Sequence, residues 1–148
     1  MNLLTPVAKL MTTNLITVNP EDSLATVKEL FDNNPIHHLP VVRFKKIVGM
    51  ISKSDLLYFL HGFSQSKTDR AIEEARLRSW KAQDIMTTGV AKVESSEPVR
   101  TALEVFKVNR FHALPIVDND ELVGILTPYD IIKALSEEPI RLEDYKAE

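Results

Sequence analysis

Apolar residues along this chain fall into short runs of two different periods. Leu24, Val27, Leu30 and Phe31 stand three and four apart, so residues 23–33 read as a helix with one buried stripe. Asn19-Pro20-Glu21-Asp22-Ser23 supplies the turn formers and acids expected ahead of a helix, and Asn33-Asn34-Pro35 ends it. An early strand is predicted over Leu15-Ile16-Thr17-Val18. After the helix come two β-rich runs, His38 to Val42 and Lys46 to Ile51, on either side of the charged turn Arg43-Phe44-Lys45; they read as a hairpin, and a second helix is expected after Ser52. The same order then recurs. Val90 to Val93 is the early strand, Pro98 sits in the first turn of a helix striped by Val99, Ala102, Leu103, Val105 and Phe106, and a second hairpin turns at Asp118-Asn119-Asp120-Glu121. That turn is acidic where the first is basic, a contrast that reads as ordinary solvated-turn chemistry. Thr68 to Trp80, rich in helix formers and in opposite charges a turn apart, reads as a helical connector with Gly62 to Ser66 as its flexible start. Trp80 is expected to pack on its own domain, and Arg141 to Glu148 to fray.

The recurrence is literal. Met11-Thr12-Thr13 returns as Met86-Thr87-Thr88, 75 residues on, and without a gap residues 11–57 match residues 86–132 at 15 of 47 positions. Ile36-His37-His38-Leu39-Pro40-Val41-Val42 pairs with Phe111-His112-Ala113-Leu114-Pro115-Ile116-Val117. The chain is a duplicated unit, with residues 1–66 as the first copy, 67–82 as connector and 83–148 as the second.

Composition narrows the class. With 148 residues, 44% of them hydrophobic and 26% charged, the chain fits one compact, water-soluble α/β (α+β) domain made of two similar halves. No apolar run approaches the roughly 20 residues that span a bilayer, so a cytoplasmic protein without a membrane role is expected. The absence of cysteine excludes disulfides and thiolate chemistry, and a net charge of −3 argues against non-specific nucleic-acid binding.

Candidate chemistry lies in a heptapeptide found in both halves. Gly49-Met50-Ile51-Ser52-Lys53-Ser54-Asp55 and Gly124-Ile125-Leu126-Thr127-Pro128-Tyr129-Asp130 share Gly, two apolar residues, a hydroxyl and, three residues later, an Asp, where a strand turns into a helix. Ser52 with Asp55, and Thr127 with Asp130, make capping boxes in which Asp replaces the usual Glu, and Pro128 suits the first helical position. Capping alone would justify both pairs. A helix N-terminus also favours anions, and a carboxylate beside it can accept hydrogen bonds from a vicinal diol, as a nucleotide's phosphate and ribose require.

With these heptapeptides, the Leu-Pro strands and the repeat, the chain resembles the tandem CBS domain family, or Bateman module, over about residues 5 to 135. The resemblance implies two units, each strand, helix, two strands and helix, packed about a pseudo-two-fold axis with two clefts that can hold adenine nucleotides. It implies that Asp55 and Asp130 bind ribose hydroxyls, that Ser52 and Thr127 bind ribose or phosphate, and that His37, His38 and His112 hold phosphates, with Lys53 as a further phosphate contact. Ala113 departs from the basic pattern. Adenine is expected among early-strand residues, Ile16 and Thr17 or Ala91 and Lys92. Counting His37, His38 and Lys53 with the first repeat makes the phosphate end more positive on the Asp55 side, unless the shared clefts redistribute these side chains.

Three function classes compete. An enzyme is weakest, because no nucleophile with a base, metal cluster or Walker-type loop is visible and the chain has only four glycines. A stand-alone regulatory module that binds adenine nucleotide (AMP, ADP or ATP) without any required cofactor, and signals to an unidentified protein effector, is favoured by the acid and hydroxyl kept in both halves. The alternative is a structural dimerisation or interaction module with no ligand. A homodimer is expected on either reading, through the apolar surfaces of Leu56-Leu57-Tyr58-Phe59-Leu60 and Ile131-Ile132.

Overall fold

The computed structural model describes residues 1–61, 69–109 and 112–139. The expectations for Gly62 to Ser66, for the connector's start at Lys67 and Thr68, for Phe111 and for Arg141 to Glu148 lie outside those residues. The fold is α+β. In the first half α1 (Leu24–Asn33) is followed by strands β1 (His38–Arg43) and β2 (Lys46–Ser52) and by α2 (Lys53–His61); α3 (Asp69–Ser79) and the short α4 (Ala82–Ile85) lead into the second half, β3 (Val93–Glu94), α5 (Val99–Asn109), β4 (Leu114–Asp118), β5 (Glu121–Leu126) and α6 (Pro128–Ser136). Ser23 caps α1, its Oγ accepting from the Thr26 amide at 3.3 Å.

Both hairpins are antiparallel, and each shifts register at the equivalent place, between Val41 and Val42 and between Ile116 and Val117. Each turns through two residues with positive φ: Phe44 (49°) and Lys45 (65°), then Asn119 (49°) and Asp120 (65°). This is the turn whose twist matches that of the flanking strands, and it favours Asn-Gly. Phe44-Lys45 is therefore strained, and at 91% exposure Phe44 gains little burial in return. Lys45→Gly is expected to stabilise the protein by up to about 1 kcal/mol, read as a raised midpoint in urea; an unchanged or lowered midpoint contradicts the strain argument.

The early strands are shorter than the sequence pattern suggests. Val93 and Glu94 pair in parallel with Ile116 and Val117, but in the first half only Val18 joins, through its N–H to the Pro40 carbonyl (3.0 Å) and its carbonyl to the Val42 N–H (2.8 Å). Leu15 and Ile16 leave the sheet to wall a cavity.

The halves exchange their leading segments. Val7, fully buried in a short 3-10 turn, packs with Val93, Val99, Leu114, Ile116 and Leu126 in the core of the second half. Ala82 and Leu77 pack with Leu24, Phe31, Leu39 and Ile51 in the core of the first. Backbone bonds follow the same reciprocity. Val99 N–H donates to the Thr5 carbonyl and Leu24 N–H to the Trp80 carbonyl, both at 2.8 Å; Thr12 and Ile125 exchange two bonds, as do Thr87 and Met50. Gly124 and Gly49 allow this docking, since a Cβ at either would run into the side chain of Met11 or Met86. The Met-Thr-Thr repeat and the heptapeptide glycine are thus two sides of one contact.

The two hairpin turns meet. Leu122 N–H donates to the Lys45 carbonyl at 2.9 Å, and Asp120 pairs with Lys92 (3.2 Å) and Lys46 (3.5 Å). Hydrogen bonding and charge from Lys92, then charge from Lys46, hold the Asp120 carboxyl below its ordinary value. The opposite charges of the turns are therefore complementary, which corrects their reading as independent solvated turns. Trp80 packs on Phe59, with ring centroids 5.2 Å apart. Of the surfaces proposed for a homodimer, Leu56 and Ile131 are buried within their own halves and Phe59 and Leu60 pack against the core, leaving Leu57, Tyr58 and Ile132 exposed.

Candidate functional site

Two cavities lie between the halves. The larger has a volume of about 690 Å³. One wall is the start of α6, with Thr127, Pro128, Tyr129 and Asp130; another is Leu15, Ile16, Pro35 and Ile36 from the first half; His37, His38 and His112 complete it beside Thr12, Asn14 and Ile125. The smaller, about 190 Å³, is lined by Ser52 and Asp55 at the start of α2, by Met50, Thr87, Val90 and Ala113, and again by His38 and His112.

The capping boxes predicted from sequence are present. Asp55 Oδ2 accepts from the Ser52 N–H at 2.8 Å, and the Asp55 N–H donates to Ser52 Oγ at 3.0 Å. Asp130 Oδ2 accepts from both the N–H and the Oγ1 hydroxyl of Thr127, each at 2.7 Å, while the Asp130 N–H donates to Thr127 Oγ1 at 3.3 Å. These bonds use Oδ2 in both residues, and each Asp also lines a cavity. Capping fixes the rotamer; a carboxylate accepts at both oxygens, so Oδ1 can serve a ligand.

The helix starts offer fewer donors than usual. Pro128 has no N–H, and the Lys53 N–H is taken by the His37 carbonyl at 2.8 Å. An anion there must draw on later amides, hydroxyls and the imidazoles. His38 is held below the ordinary histidine value of 6.5, first by burial, then by His112 and His37, with Asp55 pulling the other way. The unfolded chain therefore binds a proton more readily than the folded one. The contribution of His38 to stability is present above 6.5 and is lost as pH falls from there through its lower folded value. Acidification from about pH 7.5 to about 5.5 should lower the melting temperature, and His38→Gln should flatten that slope; an identical slope in the variant would place the titration elsewhere.

The site candidates separate into three groups. Asp130, Thr127, His37 and Ile16 come together in the larger cavity, Asp55 and Ser52 line the smaller, and His38 and His112 belong to both. Thr17, Lys53, Ala91 and Lys92 line neither cavity. Thr17 is exposed, Ala91 packs toward the second core, and Lys92 is paired with Asp120. The expectation of a more positive Asp55 side is reversed. Each cavity joins the helix start of one half to the strand entrance of the other, so His37 faces Asp130, and Ala113 falls beside Asp55. Thr12, Asn14, Ile36, Ile125 and Tyr129, with Met50 and Thr87, were not singled out as cavity residues. For Thr12 and Thr87 the signal was the repeated Met-Thr-Thr, whose role in pairing the halves is not visible within one repeat. Among the described residues no three His, Asp or Glu side chains cluster as a metal site, and no helix is long and apolar enough to cross a membrane.

Comparison with known proteins identifies the repeated unit. The family model described as CBS domain matches residues 7–62 and again 82–137. Inosine-5'-monophosphate dehydrogenase of Methanocaldococcus jannaschii is 33% identical over 122 residues, which is 81% of this chain but only 21% of that enzyme's length. The CBS-pair protein CBSX2 from Arabidopsis thaliana superposes with a TM-score of 0.75 at 26% identity, covering 89% of this chain and 94% of its own. CBSX2 in complex with AMP gives 0.72 at 28% identity, over 89% of this chain and 96% of that one. Matched by the family model in each half, the chain belongs to the CBS domain family and carries two copies of the domain in tandem.

Proposed function

We propose that this chain is a regulatory module that binds adenine nucleotide between its two CBS repeats and signals to a partner protein. The observation that carries the reading is the larger cavity, whose 690 Å³ lies within the roughly 300–1,000 Å³ range of small-molecule sites. Its three walls differ in chemistry. Asp130 and Thr127 suit ribose hydroxyls, the apolar Leu15, Ile16 and Ile36 suit a base, and His37, His38 and His112 suit phosphates. The complex of CBSX2 with AMP supports the ligand class. At about 190 Å³ the Asp55 cavity is small for a nucleotide, so it is assigned the weaker site. The regulatory rather than catalytic reading is supported by the short match to the dehydrogenase, 21% of its length. A ligand touching α6 on one side and residues 15–37 on the other ties the halves together. It shifts their arrangement only by its differential affinity for the alternatives.

The test is a thermal-shift screen of AMP, ADP, ATP and adenosyl compounds. A ligand that binds the folded state at 100 times its Kd adds about 2.7 kcal/mol of apparent stability. A structural dimerisation module remains the second reading, favoured by two capping boxes complete without any ligand and by the exposed Leu57, Tyr58 and Ile132. It predicts no shift with any compound, together with a dimer in sedimentation that Tyr58→Asp and Ile132→Asp dissociate.

A further inference from the structure

Three imidazoles serve two cavities. His37 belongs to the larger alone, while His38 and His112 stand in the walls of both. Translation by 75 residues carries His37 onto His112 and His38 onto Ala113, so the third imidazole has no counterpart. The groups that face His38 are His112 and His37, which oppose its protonation, and Asp55, which favours it. Tyr129 and Asp130 face the same imidazoles from the α6 wall of the larger cavity. An anion entering either cavity stabilises the charged imidazole. Two ligands that each favour the same protonated state must, by linkage, favour one another. Direct repulsion between two anions opposes this and is present whatever the imidazole charge.

We propose that His38 and His112 form a shared proton site that couples the two clefts, so that an anion in one charges imidazoles that the other also uses. The proposal deepens the nucleotide reading and takes from it only that the ligand is anionic. At about pH 8, where burial keeps His38 neutral, the first ligand binds with proton uptake and the second finds part of the charge in place. Once the pH has fallen far enough below the ordinary histidine value of 6.5 to charge His38 without a ligand, the linked gain is gone and repulsion remains. Coupling between the clefts therefore becomes less favourable as pH falls.

Calorimetric titration of the whole chain with AMP at about pH 8, in two buffers of different ionisation enthalpy, measures the protons taken up at each binding step. The expected result is uptake in the first step and about half as much or less in the second, since linkage places the shared charge with the first ligand. His38→Gln should reduce the uptake, while His61→Gln, on the last turn of α2, should leave it as it is. Equal uptake in both steps, an undiminished uptake in His38→Gln, or a single binding step would overturn the proposal. Inorganic sulfate, a dianion that does not titrate in this range, is run in parallel. If AMP is silent and sulfate gives unequal uptake, the nucleotide reading falls and the shared site stands. Two AMP steps with equal uptake leave the nucleotide reading and remove the shared site, and silence of both ligands removes both.

Discussion

Asp130→Asn is expected to weaken adenine-nucleotide binding by about 10- to 150-fold, the equivalent of 1.5 to 3 kcal/mol for one charged hydrogen bond, and Asp55→Asn to weaken it less. The ranking follows from the cavities: Asp130 stands in the one of about 690 Å³, with all three imidazoles, and Asp55 in the one of about 190 Å³. Asn is the informative replacement because it separates the two roles of the carboxylate. Its amide oxygen can still accept from the Thr127 N–H and hydroxyl, both now at 2.7 Å from Oδ2. What it loses is the negative charge, which costs about 0.3 to 1 kcal/mol at a helix N-terminus and more where a ribose hydroxyl needs a charged acceptor. Stability should therefore fall slightly and affinity steeply. Calorimetry with the ligand selected by thermal shift, alongside a melt of each variant, reads both quantities. Undiminished affinity in Asp130→Asn would leave capping as the whole role of that residue, and a larger loss in Asp55→Asn would make the smaller cleft the principal site.

Much of this was legible in the sequence, and the limit has a physical cause. Helix stripes, hairpins and capping boxes are local: Leu24, Val27 and Phe31 share a face because a helix turns every 3.6 residues, and Ser52 reaches Asp55 for the same reason. The 75-residue shift says which residues are equivalent; it does not say which face each other. His37 and Asp55 belong to one repeat, yet His37 lines the cavity of Asp130, because the cavities form across the junction between repeats. Charge made the same point at the turns, where Lys46, at the start of β2, and Asp120 belong to separate hairpins until the halves are joined and then pair at 3.5 Å. Length misled as well. Leu15 to Val18 has the apolar content of a strand, but Pro20 follows closely and Leu15 and Ile16 line the cavity, and only Val18 stays in register with Val41.

Val7→Asp should be severely destabilising, and its damage should appear in the half that is distant in sequence. Val7 is fully buried against Val93, Val99, Leu114 and Leu126, and its N–H donates to the Glu97 carbonyl at 2.8 Å. A carboxylate there is set among apolar side chains, and an unpaired buried charge costs several kcal/mol before the carboxyl takes up a proton to escape it, on the order of 3 to 5. That is a large share of the roughly 5 to 15 kcal/mol that holds a domain together. Hydrogen exchange should show protection lost first across residues 93–131, with residues 24–56 retaining more. Val7→Ala, which only leaves a cavity, is the milder companion at about 1 to 3 kcal/mol and keeps the experiment readable if the Asp variant does not fold. Its mirror is Ala82→Asp, 75 residues on and fully buried in the first core, which should reverse the pattern of lost protection. Equal loss in both halves for both variants would mean that the exchanged leading segments stabilise the module as a single unit, and loss confined to residues 24–56 in Val7→Asp would contradict the exchange itself.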